Sequence, residues 1–272
     1  MKEVIKNGVF YLGDCLEIMK EIPDKSIDMI LCDLPYGTTG CKWDIIIPFE
    51  PLWKEYKRII QKNAAIVLTA SQPFASALVM SNIEMFKYDW IWESNNSANF
   101  AQAPYMPLKN TENIIVFSFG GCAHPSKNRM KYNPQGVSNI LKTCKNKTNR
   151  NYLHKGGLPT SKTFKQRGTG YPSQIIKINK ETETFHPTQK PVDLFKYLIK
   201  TYSNEGDLIL DNCAGSGTTA VACERSKRRW ICIEKEKRYY DFATERVRQQ
   251  NHWKTYNQHE VPKSSNKLHL DL

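Results

Sequence analysis

LILDNCAGSGTTAVACE, residues 208–224, runs from a short apolar stretch through a glycine turn into a helical pattern. That context, strand then glycine turn then helix, is where such a loop binds nucleotides. Gly215 and Gly217 permit a tight turn and close backbone approach, and the helix start offers unpaired N–H groups to a carboxylate or phosphate. Asp211 ends the strand. A second acid, Glu234, ends the next strand candidate 23 residues later, near the spacing at which an acid meets ribose hydroxyls in dinucleotide folds. By itself the loop also fits a ligand-free strand-to-helix turn, or the loop of a dinucleotide-dependent oxidoreductase.

Working outward, short apolar runs bounded by turn residues recur at 9–14, 27–33, 64–70, 88–93, 113–119, 207–211 and 229–234. Each reads as a strand. PFEPLWKEYKRIIQ before the third and VDLFKYLIKTYS before the sixth place apolar residues three and four apart, the mark of amphipathic helices. This alternation predicts an α/β sheet with helices on both faces.

The run IDMIL leads into CDLPYG, residues 32–37. A carboxylate at the carboxyl end of a parallel strand stands where α/β folds bind ligands. Asp33 can accept hydrogen bonds from an amine, the Leu34 carbonyl can accept another, Pro35 fixes the backbone, and Tyr36 can stack on a planar ring. Read alone, the segment is also an ordinary capped turn.

The chain has 272 residues, 40% hydrophobic and 24% charged, enough for one catalytic domain with an insertion. No apolar run approaches the roughly 18 residues of a membrane span, and the start lacks a secretory pattern, so membrane insertion is not expected and the cytoplasm is. Eight cysteines contain no C-x-x-C pair, which argues against a metal site and for reduced thiols. The net charge of +12 is concentrated: residues 122–180 hold thirteen Lys and Arg and no Asp or Glu, leaving the rest close to neutral. That segment, rich in Asn, Gly, Pro and Ser, breaks the strand–helix alternation and reads as an insertion suited to a polyanion, or as a disordered loop.

Together these motifs resemble the DNA amino-methyltransferase family, which methylates adenine at N6 or cytosine at N4. CDLPYG resembles the family's catalytic D-P-P-Y, with Leu34 in place of the first proline. DNCAGSGTT resembles its D-P-F-x-G-S-G-T cofactor loop, and HPTQKP (186–191) its H-P-T-Q-K-P segment. Gly13 and Asp14 stand where an early Gly-Asp pair precedes the catalytic strand. The tetrapeptide comes before the cofactor loop, the permuted order of the β class; protein-glutamine and many RNA methyltransferases have the reverse order.

The resemblance implies a Rossmann-like, S-adenosylmethionine-dependent methyltransferase sheet with an inserted basic target-recognition region. It divides the chain into a catalytic part (1–121), the insertion (122–180), a cofactor-binding part (181–254) and a polar tail (255–272). Asp33, Leu34, Pro35 and Tyr36 would be catalytic. Asp211, Gly215, Gly217, Thr218 and Glu234 would line the cofactor pocket, with Asp14 near the cofactor's adenine, Gln189 near its methionine end, and Lys190 on its carboxylate. Lys145, Lys147, Arg150, Lys162, Lys165 and Arg167 would meet double-stranded DNA. The absence of a Pro-Cys dipeptide argues against carbon-5 cytosine chemistry. The expected product is N6-methyladenine, with N4-methylcytosine and a non-catalytic nucleic-acid-binding protein as alternatives. Homodimerisation and a separately encoded restriction endonuclease stay open.

Overall fold

The computed structural model describes residues 1–41, 43–123, 126–145, 163–181 and 188–249. Among these, the main sheet has nine strands: β1 (Lys2–Ile5), β2 (Gly8–Leu12), β3 (Ile27–Asp33), β4 (Ile60–Ala70), β5 (Phe86–Ala98), β6 (Lys109–Ser118), β9 (Ile175–Lys177), β10 (Leu208–Asp211) and β11 (Arg229–Glu234). Their order is β1-β2-β11-β10-β3-β4-β6-β5-β9. From β2 to β4 the strands are parallel; β6 runs against both neighbours, and β1 against β2.

Strands in the middle of the sheet are apolar throughout because both faces are covered. Met29 and Leu31 of β3, Ala65 and Val67 of β4, and Ile114 and Val116 of β6 face α4 (Val192–Tyr202), α5 (Thr218–Arg225) and α6 (Lys237–Arg248). Their alternates, Ile30, Cys32, Ile66, Leu68, Ile115 and Phe117, face α1 (Cys15–Met19), α2 (Phe49–Ile59) and α3 (Phe74–Ser81). Thus α5, after β10, packs on one face, whereas α2, after the neighbouring β3, packs on the other. The connections diverge between β10 and β3, and that switch point is where open α/β sheets hold ligands.

The segment 122–180 divides in two. Met130 is buried in the main core, and β9 extends the main sheet beside β5. Between them β7 (Ser138–Lys145) and β8 (Thr163–Thr169) pair antiparallel as a separate ribbon. Among the described residues no helix is long and apolar enough to cross a membrane.

Candidate active site

Asp33 ends β3 directly opposite Thr69 of β4. Its Oδ1 accepts from Tyr36 OH at 2.6 Å and from Thr69 Oγ1, and its Oδ2 from Lys190 Nζ at 2.8 Å. A carboxylate offers about four acceptor directions, so one remains for a substrate donor. Burial, and then the Asp33 charge, push the Tyr36 hydroxyl well above its ordinary pKa, which keeps it a donor. The Tyr36 ring stacks on Phe74 with centroids 5.2 Å apart. Leu34 is 4% exposed and anchored in the core under α1, α2 and α3, so packing restrains the backbone where a proline ring would otherwise do so.

The Lys190 ammonium, which its motif assigns to the cofactor carboxylate, lines the cavity and pairs with Asp33. It is 6% exposed, bound to Asp33, and 3.3 Å from Glu112 Oε2 on β6. Burial alone would lower its pKa; the Asp33 and Glu112 carboxylates outweigh burial and raise it. Its charge is therefore compensated by Asp33 and Glu112.

The loop after the tetrapeptide is organised by Asp44, which sequence reasoning missed. Its carboxylate accepts from the backbone N–H groups of Gly37 and Thr38 at 2.9 Å and Thr39 at 2.7 Å. Burial pushes its pKa up, but these three donors hold it below the ordinary value. Adjacent Trp43 meets Tyr239 of α6 edge-on, 6.3 Å between centroids.

A cavity of about 320 Å³ opens beside these groups, within the range of small-ligand sites. Asp14, Gln189, Asp211, Gly215, Thr218 and Glu234 line it together with Asp33, Tyr36 and Lys190. Gly215 and Gly217 have φ of 51° and 75°, and a Cβ on Gly217 would sit 3.0 Å from that of Ala243 in α6. Both conditions favour glycine at 217. Asp211 Oδ2 accepts from Thr219 and its Oδ1 from Cys213 N at 3.1 Å, pinning the turn to α5. Glu234 accepts from Gly215 N and Glu236 N. Burial raises Asp211 to about 6 and Glu234 to about 7.

Asp14 caps α1 by accepting from Leu16 N at 2.9 Å and pairs with Lys235 at 3.3 Å. Gln189 Nε2 donates to Glu181 at 2.6 Å, and Thr218 Oγ1 donates to the Lys190 carbonyl at 3.3 Å. Arg246 of α6, a second residue that sequence reasoning missed, donates to the Ser216 carbonyl at 3.0 Å from a buried position. Burial lowers its pKa to about 10.

Of the basic residues assigned to DNA, Lys165 is exposed on β8; Lys142 on β7, paired with Gln166, is also exposed, on the opposite face of the ribbon. Lys145 and Arg167 lie on β7 and β8 in backbone position only, and Lys147, Arg150 and Lys162 fall outside the described residues.

A glycine turn with an acid on the adjoining strand, beside a carboxylate at the switch point of this sheet, fits an S-adenosylmethionine-dependent methyltransferase. The match to known proteins is narrower. The family profile described as DNA methylase, of the N6/N4 type, covers residues 27–245, and the chain belongs to that family. Its cofactor is S-adenosylmethionine. The chain is 34% identical over 247 residues to the Type II methyltransferase M2.DpnII of Streptococcus pneumoniae, covering 88% of this chain and 89% of that one. It is 27% identical over 256 residues to the DNA adenine methyltransferase YhdJ of Escherichia coli (strain K12), covering 89% and 83%. The structure of the cytosine-N4-specific PvuII DNA methyltransferase shares the fold, with a TM-score of 0.66 at 16% identity over 91% of this chain and 89% of that one.

Proposed function

We propose that the chain methylates the N6 amine of adenine in double-stranded DNA, in the cytoplasm, acting on a base rotated out of the duplex. The amine is otherwise engaged in pairing, so extrusion is required for access. The observation that carries this reading is the Asp33 carboxylate, fixed by three donors at the edge of the cavity with one acceptor direction left. S-adenosylmethionine supplies a methyl group on a sulfonium, whose sulfur keeps the electrons of the broken carbon–sulfur bond.

The residues act by holding. Glu234 would accept from ribose hydroxyls, Asp14 would flank the adenine of the cofactor, and Gly215 and Gly217 would bring the backbone close. Asp211 and Thr218 keep the turn in shape, and Gln189 would stand near the methionine end. Asp33 and the Leu34 carbonyl would accept from the target amine and turn its lone pair toward the methyl group, while Tyr36 would pack against the base. The ribbon of β7 and β8, with the basic segment around it, would lie on the phosphates and read the target sequence.

An acidic residue at the head of the tetrapeptide and the adenine specificity in the name of YhdJ favour adenine over cytosine-N4. Methylated DNA is digested to nucleosides and separated by liquid chromatography with mass detection. N6-methyladenine is expected; N4-methylcytosine without methyladenine would overturn the choice of base.

A further inference from the structure

The ion cluster at the catalytic end contains one carboxylate more than orientation of an amine requires. Glu112 stands on β6 just beyond the last pairing of β4, Ala70 with Asn113. Its Oε2 is shielded from solvent and lies 3.3 Å from Lys190 Nζ, yet receives no well-directed hydrogen bond. The better-directed bond of that ammonium goes to Asp33 Oδ2 at 2.8 Å. The side chains of Asp33 and Glu112 are 22% and 19% exposed, so two partly buried carboxylates face one buried ammonium. The second of them asks for a role.

The charges suggest one. Asp33 and Lys190 alone neutralise each other, and a neutral pair does little for a cation forming beside it. When the amine lone pair bonds to the methyl carbon and the carbon–sulfur bond breaks, positive charge passes from the sulfonium to the nitrogen until a proton leaves to solvent water. Glu112 brings the cluster of Asp33, Lys190 and Glu112 to one net negative charge at the partly buried edge of the cavity, where fixed charge acts more strongly on a developing one than it would in bulk water. We propose that Glu112 is a positioning residue for the methyl transfer: as a second carboxylate beside the Lys190 ammonium that Asp33 holds, it leaves the cluster anionic when the amine becomes cationic. This rests on the methyl-transfer reading above.

The test compares single-turnover methylation of DNA, cofactor affinity by calorimetry and DNA affinity for the wild type, Glu112→Gln, Glu112→Asp and the double variant Glu112→Gln/Lys190→Met. Glu112→Gln makes the cluster neutral and is expected to slow transfer roughly tenfold or more, with both affinities within about threefold. Glu112→Asp keeps the charge and should retain more of the rate. In the double variant Asp33 alone restores one negative charge, so transfer should be faster than in Glu112→Gln. A purely structural glutamate gives no such recovery. An active wild type with an unslowed Glu112→Gln, a Gln variant as fast as the Asp variant, or a double variant no faster than the single one would overturn the proposal. A wild type that methylates no DNA would overturn the reading beneath it instead.

Discussion

The carboxylate of Glu234 accepts from Gly215 N at 2.7 Å, so the acid that ends β11 clamps the glycine turn after β10. Burial raises this carboxyl to about 7 and the neighbouring Asp211 to about 6. Both acids stay protonated in the fold at pH values where the unfolded chain has released its protons, so the ligand-free protein loses stability as pH rises through these values. Between pH 4.5 and 8 the unfolding free energy of the wild type should fall by up to about 3 kcal/mol more than that of Glu234→Gln. Urea titrations at several pH values measure this; parallel curves would refute it.

Asp33→Ala should abolish methyl transfer while leaving cofactor affinity within a few-fold, since Asp33 is assigned to the target amine. Calorimetry and a tritium-transfer assay check the two halves separately. Turnover near the wild-type level would end the assignment.

Gly217→Ala should lower stability by about 1–3 kcal/mol, because the new Cβ meets both a left-handed backbone and the Ala243 methyl. Cofactor affinity should drop with it, as the turn and α6 must separate. Thermal melts with and without S-adenosylmethionine would show a smaller ligand-induced rise in the variant, and an undiminished rise would count against this view of the turn.

Replacing Lys142 and Lys165 with alanine should flatten the salt dependence of DNA affinity, by about 0.9 in the log–log slope for each phosphate that is no longer neutralised. Titrations at several salt concentrations give the slope. An unchanged value would make the ribbon a solvated surface.

The strands over 27–33 and 229–234 were legible because each is a continuous apolar run ended by an acid, and both were found with those bounds. β4 begins at Ile60, where apolarity alone suggested residue 64, because α2 passes directly into it and Ile60 and Gln61 fit either periodicity. β5 and β6 continue as a hairpin into the polar residues 94–98 and 109–112, where hydrophobic pattern falls silent. β7 and β8 have no continuous apolar face to reveal them. In the site, Asp33 and the glycine turn carry local signatures. Glu112, Thr69 and Arg246 reach it only through strand register and helix packing between distant segments, which pattern cannot convey. Lys190 was recognised as a site residue, but its partner 157 residues away depends on tertiary structure.

The edge-on packing of Trp43 on Tyr239 ties the loop after the tetrapeptide to α6 at the cavity wall. The loop that holds Trp43 at the cavity wall is the one whose backbone Asp44 gathers beside the tetrapeptide, so a single segment borders both ligands. If occupants of the two places are coupled through this segment, the coupling is reciprocal. Whatever factor DNA adds to the affinity for S-adenosylmethionine, the cofactor must add to the affinity for DNA, and loosening this aromatic pair should weaken both by way of that shared coupling.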